Sequence, residues 1–272
     1  MFSEIQAAGE SFRRETGIMS TELEAAAMSA NLIPGSYKEG FNAVKALHKA
    51  WGNVNQITKN QVIQVAKLTE EYGVSNEAAA GSLKVFQELG NLTAKQAIEI
   101  QNITLEEANK SGVVFADVLD EISSSSSAAY NYFAGSPKAL AKAAIEAKRM
   151  GLSLDKMVSM SDSLLDIESS IEAQMKANLL TGKNMNFQKA RELAMAGDAE
   201  GAAKAALKQV GSYSDFLDMN VYQRKSIAAA AGLEVGELTS ILKKQSDLAK
   251  YGTKRLTSNK KMASTLTQLK RI

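Results

Sequence analysis

A glycine, then an apolar residue, then often Ser or Thr: this order recurs along the chain and restricts what it can fold into. It reads GIMSTELEAAAM from Gly17, GVSNEAAAGSL from Gly73, GNLTAKQAIEI from Gly90 and GLSLDKMVSM from Gly151. Weaker copies are GVVFADVL from Gly112 and GLEVGELTSIL from Gly232. Each copy reads as a joint between helices. Glycine takes the left-handed conformation that closes one helix, the apolar residue packs back on its last turn, and the hydroxyl caps the next. Thr21 with Glu24, Thr93 with Gln96, and Thr104 with Glu107 have capping-box spacing. The glycines follow no fixed period, which disfavours a regular solenoid. With only two prolines, Pro34 and Pro137, and abundant Ala, Leu, Lys, Glu and Met, helix is expected nearly everywhere. The expected fold is all-α, a multi-helix array of short helices joined by Gly turns.

One stretch departs from the short-helix pattern. Met157, Met160, Leu164, Ile167 and Ile171 recur at gaps of three and four, which places them on one helical stripe. Ser153 and Asp155 suit the first turn, and Gly182 lies just past Leu179–Leu180, where a C-cap is expected. The spacing predicts one long helix over 153–181, about 42 Å at ~1.5 Å per residue, with the stripe buried. At Gln174 and Asn178 the stripe turns polar and the apolar line moves to Met175 and Leu179. Such drift fits a packed straight helix better than a coiled coil.

Other elements follow from the same signals. Residues 1–16 read as a short helix and 31–35 as a turn. Tyr37–Gly52 carries Phe41, Val44, Leu47 and Trp51 on one face, and Thr58–Tyr72 turns Val62, Val65, Ala66 and Leu68 inward. Across the serine run 123–127, Val118, Ile122, Ala129 and Phe133 keep helical spacing, so a closely packed helix is favoured over a flexible link. Gly135–Pro137 is a break, with Ser136 as N-cap and Pro137 opening the next helix. Asn186–Ala196, Ala199–Gln209 and Asn220–Ala231 supply three further short helices. The organisation expected is N-terminal helices over 1–50, a helical core module over 51–247 and a basic C-terminal tail helix over 248–272.

The net charge of +2 conceals a polarity. From Leu248 onward there are seven basic residues, Lys250, Lys254, Arg255, Lys260, Lys261, Lys270 and Arg271, and no acid. The remaining residues carry 25 basic against 30 acidic side chains. A basic segment of this kind contacts nucleic acid, an anionic membrane or an acidic protein surface, or else is a solvated terminal helix. Its apolar residues Leu256, Met262, Leu266 and Leu269 suit a helix that docks on protein. There is no apolar run of membrane-spanning length and no charged segment leading into an apolar one, so a soluble helical protein is expected.

Chemistry-bearing constellations are few. His48 is the single histidine and cysteine is absent, which excludes thiolate and histidine-cluster metal sites; beside Trp51 it reads as a half-buried helix residue. Asp162/Asp166 and Glu168/Glu172 are pairs one turn apart, but they lie off the apolar stripe and read as a solvated face. Gly197–Gly201 links two helices and follows no strand, so it is no phosphate loop. Ala228–Ile241 has the spacing of a helix-turn-helix, yet Glu234 and Glu237 would repel phosphate where base readers should begin. No catalytic residue, cofactor-binding residue, metal ligand or small-molecule substrate is expected.

Two segments carry a resemblance. They are MGLSLDKMVSMSDSLLDIESSIEAQMKANLLTGKNMNFQKARELAMAGDAEGAAKAALKQVG (Met150–Gly211) and FLDMNVYQRKSIAAAAGLEVGELTSIL (Phe216–Leu242). Their most specific runs are LLDIESSIEAQMKANLLTGKNMNFQKARELAMAGD and MNVYQRKSIAAAAG. With these, the region from Gly112 to Leu242 resembles a segment of tape measure proteins from long-tailed bacteriophages, and residues 50–111 resemble its upstream part more loosely. The resemblance implies a structural protein of the virion tail, present in host cytoplasm during assembly. It implies action in tail assembly and length determination, with tail tube, baseplate or hub proteins and copies of itself as partners. Because that family has no active site in this region, no catalytic residue carries over. Members are far longer than this chain, so the resemblance implies either a segment of a larger protein or a compact module that packs at a tail end. Two other classes stand beside it: a small helical nucleic-acid-binding protein using the seven basic tail residues, and, least favoured, an enzyme using the helix carboxylates.

Overall fold

A computed structural model describes residues 37–133 and 136–247, together with 10, 14, 249 and 250. Among these residues the fold is all-α, with no strand. The chain divides into two compact units, Met1–Ile145 and Glu146–Ile272. Of the expected helix over 1–16 only residues 10 and 14 are described, both helical; the copy at Gly17, the Thr21–Glu24 box and the turn over 31–35 lie outside the described residues.

The first unit holds α1 (Tyr37–Trp51), a 3-10 turn (Val54–Gln56), α2 (Lys59–Tyr72), α3 (Asn76–Gly90), α4 (Ala94–Ser111), α5 (Phe115–Ser124) and α6 (Ser127–Tyr132). At its centre α3 packs against α1, α2, α4 and α5. Its sequence explains why four neighbours fit. Ala78, Ala79, Ala80 and Ser82 are buried and small, so helix axes approach closely, while Leu83 and Phe86 fill the remaining space. A Cβ added at Gly81 would stand 2.8 Å from the Ser123 Cβ, so only glycine lets α5 cross there. Phe41, Val44 and Leu47 of α1 and Val62, Val65, Ala66 and Leu68 of α2 are buried, as their spacing predicts. A neutral amide network joins the layers. Gln101 of α4 donates to the Ala79 carbonyl at 2.9 Å and to Ser82 Oγ at 2.8 Å, and Gln61 of α2 donates to Gln87 of α3 at 2.7 Å.

The second unit contains the end of α7 (Pro137–Met150), then α8 (Leu154–Leu165), α9 (Ile167–Thr181), α10 (Gln188–Met195), α11 (Ala199–Val210), α12 (Tyr213–Leu217), α13 (Val221–Ala230) and α14 (residues 235–247). Here α8 packs against α10 and α11, and α9 against α13. Leu154, Met157, Met160 and Leu164 of α8 are buried with Ala190, Ala194, Ala202, Ala203 and Ala206, a core of long residues set against alanines. Opposite, α14 runs back along α8. A Cβ on Gly232, just before α14, would come within 2.9 Å of the Ser163 Cβ; Glu237 pairs with Lys156; Lys244 lies against Gly151.

The joints follow the expected chemistry with instructive exceptions. At Gly73, Gly112, Gly151 and Gly232 the backbone is left-handed, and the next residue's N–H donates back to a carbonyl of the last turns: Val74 to Leu68, six residues back, and Val113 to Ala108, Leu152 to Ala147 and Leu233 to Ala228, five residues back. Thr93 and Gln96 form their capping box, and Ser136 caps α7 through the Ala139 N–H at 3.2 Å, with Pro137 as its first residue. Gly90 does not behave as expected. It stays helical, and Asn91 takes the left-handed position at φ 47°. A Cβ on Gly90 would meet Pro137 Cγ at 2.6 Å, so this glycine serves close approach instead. Thr104 is no cap either; it lies inside α4 and its hydroxyl donates to the Ile100 carbonyl at 2.7 Å.

Two expected continuous helices are broken. Within the serine run, Ser124 and Ser125 hydroxyls donate back to the Asp120 and Glu121 carbonyls at 2.7 and 2.6 Å, and Ser126 caps α6. Serine side chains there compete with the helix for its own acceptors. The single long helix over 153–181 is likewise two. Asp166 leaves helical geometry at φ −74°, ψ 82°, and its side chain caps α9 by accepting from the Ser169 N–H at 3.4 Å. An aspartate that can cap favours a new start over continuation.

Candidate interaction surface

The break at Asp166 rotates α9 relative to the stripe of α8, and its consequence is an inverted helix. Ser170 and Ala177 are the buried residues of α9, and Gln174 and Asn178 share their side. That side holds the incoming segment 185–191 by a polar ladder. Asn178 exchanges two hydrogen bonds with the Met185 backbone, at 2.9 and 3.0 Å. Gln174 Oε1 accepts from the Phe187 N–H at 3.1 Å and from Arg191 at 2.8 Å, and Ser170 Oγ accepts from Arg191 at 3.1 Å. Met185 and Phe187 are buried beside it. Arg191 is itself buried, and its Nε has no hydrogen-bond partner. Burial pulls its pKa below the ordinary arginine value, because desolvation disfavours the charge.

The apolar residues of α9 face the other way. Ile167, Ile171, Met175 and Leu179 recur every four residues and are 39%, 41%, 66% and 85% exposed. The buried stripe expected over α8 and α9 therefore ends at Leu164; Ile167 and Ile171 are corrected from core to surface. Single exposed apolar residues are ordinary, but a contiguous row paired with a polar interior face is the informative case. Asp162, Asp166, Glu168 and Glu172 are all exposed around the start of this row, as expected of a solvated face. Beside it, a shallow groove of about 360 Å³ runs between α9 and α13, with Glu172 and Lys176 on one wall and Lys225 on the other. Sequence reasoning missed the row as surface. The available signal was Asp166 followed by Ser169, a cap spacing in the middle of the apparent stripe.

The remaining candidates are placed as follows. His48 is half-buried on α1. No group of His, Asp or Glu with metal-holding geometry occurs among the described residues, and no helix among them is long and apolar enough to cross a membrane. A short turn at Gly232 joins α13 to α14, and the face of α14 carrying Glu237 and Lys244 lies against α8 and its flank. Glu237 is held below the usual carboxylate range, first by its hydrogen bond from Lys156 and then by the Glu234 N–H. Of the seven basic tail residues, Lys250 is helical and exposed, while Lys254, Arg255, Lys260, Lys261, Lys270 and Arg271 lie outside the described residues.

Comparison with known protein families, characterised proteins and solved structures found no match.

Proposed function

We propose that this chain is a structural component of a bacteriophage tail, of the tape measure kind, acting in tail assembly and length determination. The run Leu164–Asp198 carries the reading. It is the most specific part of the resemblance, and its residues build the Asp166 cap, the Ser170–Gln174–Asn178 ladder and the apolar row of α9. A module with one helix, α9, that turns polar residues inward and an apolar ridge outward suits a protein whose work is contact with other subunits. On this reading its partners are tail tube and baseplate or hub proteins and further copies of itself, and it resides in the virion after assembly in host cytoplasm. It performs no catalysis and takes no cofactor.

Mass spectrometry of purified virions tests the reading directly. Peptides from both units, recovered in fixed ratio to the tube subunit, are expected. Virions that contain the tube protein and lack these peptides would refute it. The second reading, sequence-independent DNA contact through the basic residues from Lys250 to Arg271, rests on their charge. It predicts duplex affinity that falls steeply with salt and vanishes when residues 251–272 are removed.

A further inference from the structure

The apolar row of α9 carries acid at one end of its open flank and base at the other. We propose that the surface covering it is the same row of a second copy of this chain, laid antiparallel about a two-fold axis. The inference rests on the reading of α9 as a contact surface and names the partner that covers it.

Charge order selects this occupant. Beside Ile167, Ile171, Met175 and Leu179 runs a second i, i+4 row, Glu168, Glu172 and Lys176, all exposed and in no ion pair among the described residues. The carboxylates stand toward the N-terminal end of α9 and the lysine toward its C-terminal end, so this flank complements itself only when reversed. Centring the pair on Ala173 sets Ile167 against Leu179 of the second copy and Ile171 against its Met175. At ~1.5 Å per residue, Lys176 of each copy then falls level with the interval between Glu168 and Glu172 of the other. The two Glu172 side chains approach the axis, each with the opposite copy's lysine beside it. Lys225, which lines the groove with Lys176 and Glu172, adds a second cation. Paired carboxylates on this flank disfavour nucleic acid or an anionic lipid surface as the occupant.

Access selects the orientation. The other flank of the row, Ser170, Gln174 and Asn178, already holds the segment 185–191. A parallel two-fold pair would press the Glu168 flank of each copy on that occupied side of the other, whereas an antiparallel pair sets the two open flanks side by side. Extent agrees as well. The row is about 18 Å long at ~1.5 Å per residue, and an identical row matches it end to end. The apolar surface also continues past its C-terminal end. Gln223 donates to the Leu180 carbonyl at 3.0 Å and brings the start of α13, with Val221 and Tyr222 exposed, beside the end of α9.

Sedimentation of the full chain across a concentration series is expected to show a reversible monomer–dimer equilibrium. Met175→Asp, at a position 66% exposed in the monomer, should raise the dissociation constant about tenfold or more while helicity stays unchanged. Glu168→Lys with Glu172→Lys should weaken the dimer, and adding Lys176→Glu to that pair should restore it. Because the chain has no cysteine, introduced cysteines report the orientation without background. Full chains carrying Ile167→Cys or Leu179→Cys are treated with a short bismaleimide, each alone and mixed. The mixture is expected to yield covalent dimer about tenfold faster than either variant alone, because like positions lie about 18 Å apart across the axis. A parent that stays monomeric throughout the series overturns the proposal, as does a triple charge variant that fails to restore the dimer. Faster cross-linking of a variant alone overturns it in favour of a parallel pair, and a dimer untouched by Met175→Asp in favour of another face. None of these results bears on whether the chain is present in virions, and its absence from virions would leave the dimer measurable.

Discussion

Leu164 and Ile167 are three residues apart, chemically alike, and on one stripe if the helix is continuous. The cap at Asp166 separates their fates: Leu164 is 1% exposed and Ile167 is 39% exposed. Leu164→Ala removes buried methyl groups from the contact of α8 with its neighbours. Transfer plus a partly collapsed cavity should cost about 2–5 kcal/mol. Ile167→Asp is the harsher change by chemistry and the milder by position. The side chain already meets water, and Ile167 is the first residue of α9, where the helix dipole favours a negative charge. The lost partial burial is roughly 1 kcal/mol, offset in part by the dipole. With an m-value of about 3 kcal/mol per molar urea, Leu164→Ala should lower the midpoint by about 1 M and Ile167→Asp by about 0.3 M or less. Far-UV circular dichroism is the suitable probe, because the single tryptophan, Trp51, lies in the first unit. If Ile167→Asp costs as much as Leu164→Ala, the break at Asp166 does not redirect the stripe, and the interaction surface fails with it.

Three further outcomes follow from the same geometry. Arg191 sits buried among neutral partners, so Arg191→Met should lie within about 1 kcal/mol of the parent, whereas Arg191→Lys keeps the charge, loses the fork between Ser170 and Gln174, and should cost about 2 kcal/mol or more in urea melts. The reverse order would show that the charge itself stabilises α10 on α9. Gln101→Ala removes a donor to the Ala79 carbonyl and to Ser82, which keep their own hydrogen bond at 3.1 Å, and leaves a void in a buried layer, so about 1–3 kcal/mol of destabilisation is expected by thermal or urea unfolding. Glu237 has a depressed folded pKa, so its contribution is present above the unfolded carboxylate value near ~4.3 and is lost as pH falls through the lower folded value. Melting temperature measured from pH 7 to pH 3 should therefore fall more for the parent than for Glu237→Gln, and parallel curves would deny the Lys156 pair a role.

Much of the architecture was readable because its determinants are local. Gly73, Gly112, Gly151 and Gly232 close helices where the sequence places them, and Thr93–Gln96 and Ser136–Pro137 open helices where expected. What escaped the sequence depends on neighbours distant along the chain. Gly90 looks like another C-cap until Pro137 is known to press on it, and Thr104 looks like a cap until α4 is known to run through it. Ile167 and Ile171 have the spacing of core residues. Their exposure is decided by Ser170, Gln174 and Asn178, which the segment 185–191 needs on the inner side. Periodicity reports which residues share a face, and only a packing partner decides whether that face turns inward.

The self-sufficient helix ends bear on how the chain forms during synthesis. Each joint is closed by residues a few positions away, and most helix pairs that pack are near neighbours in sequence: α1 with α2 and α3, α3 with α4 and α5, α10 with α11. Little loop-closure entropy stands between emergence from the ribosome and a formed contact. Because α1 to α5 pack on one another, the first unit should become protease-resistant on a stalled nascent chain before the second unit has been translated. The second unit matures late. The ladder on α9 waits for Arg191, and its packing partner α13 starts some forty residues after α9 ends, so the apolar row is most vulnerable to misassociation in that interval.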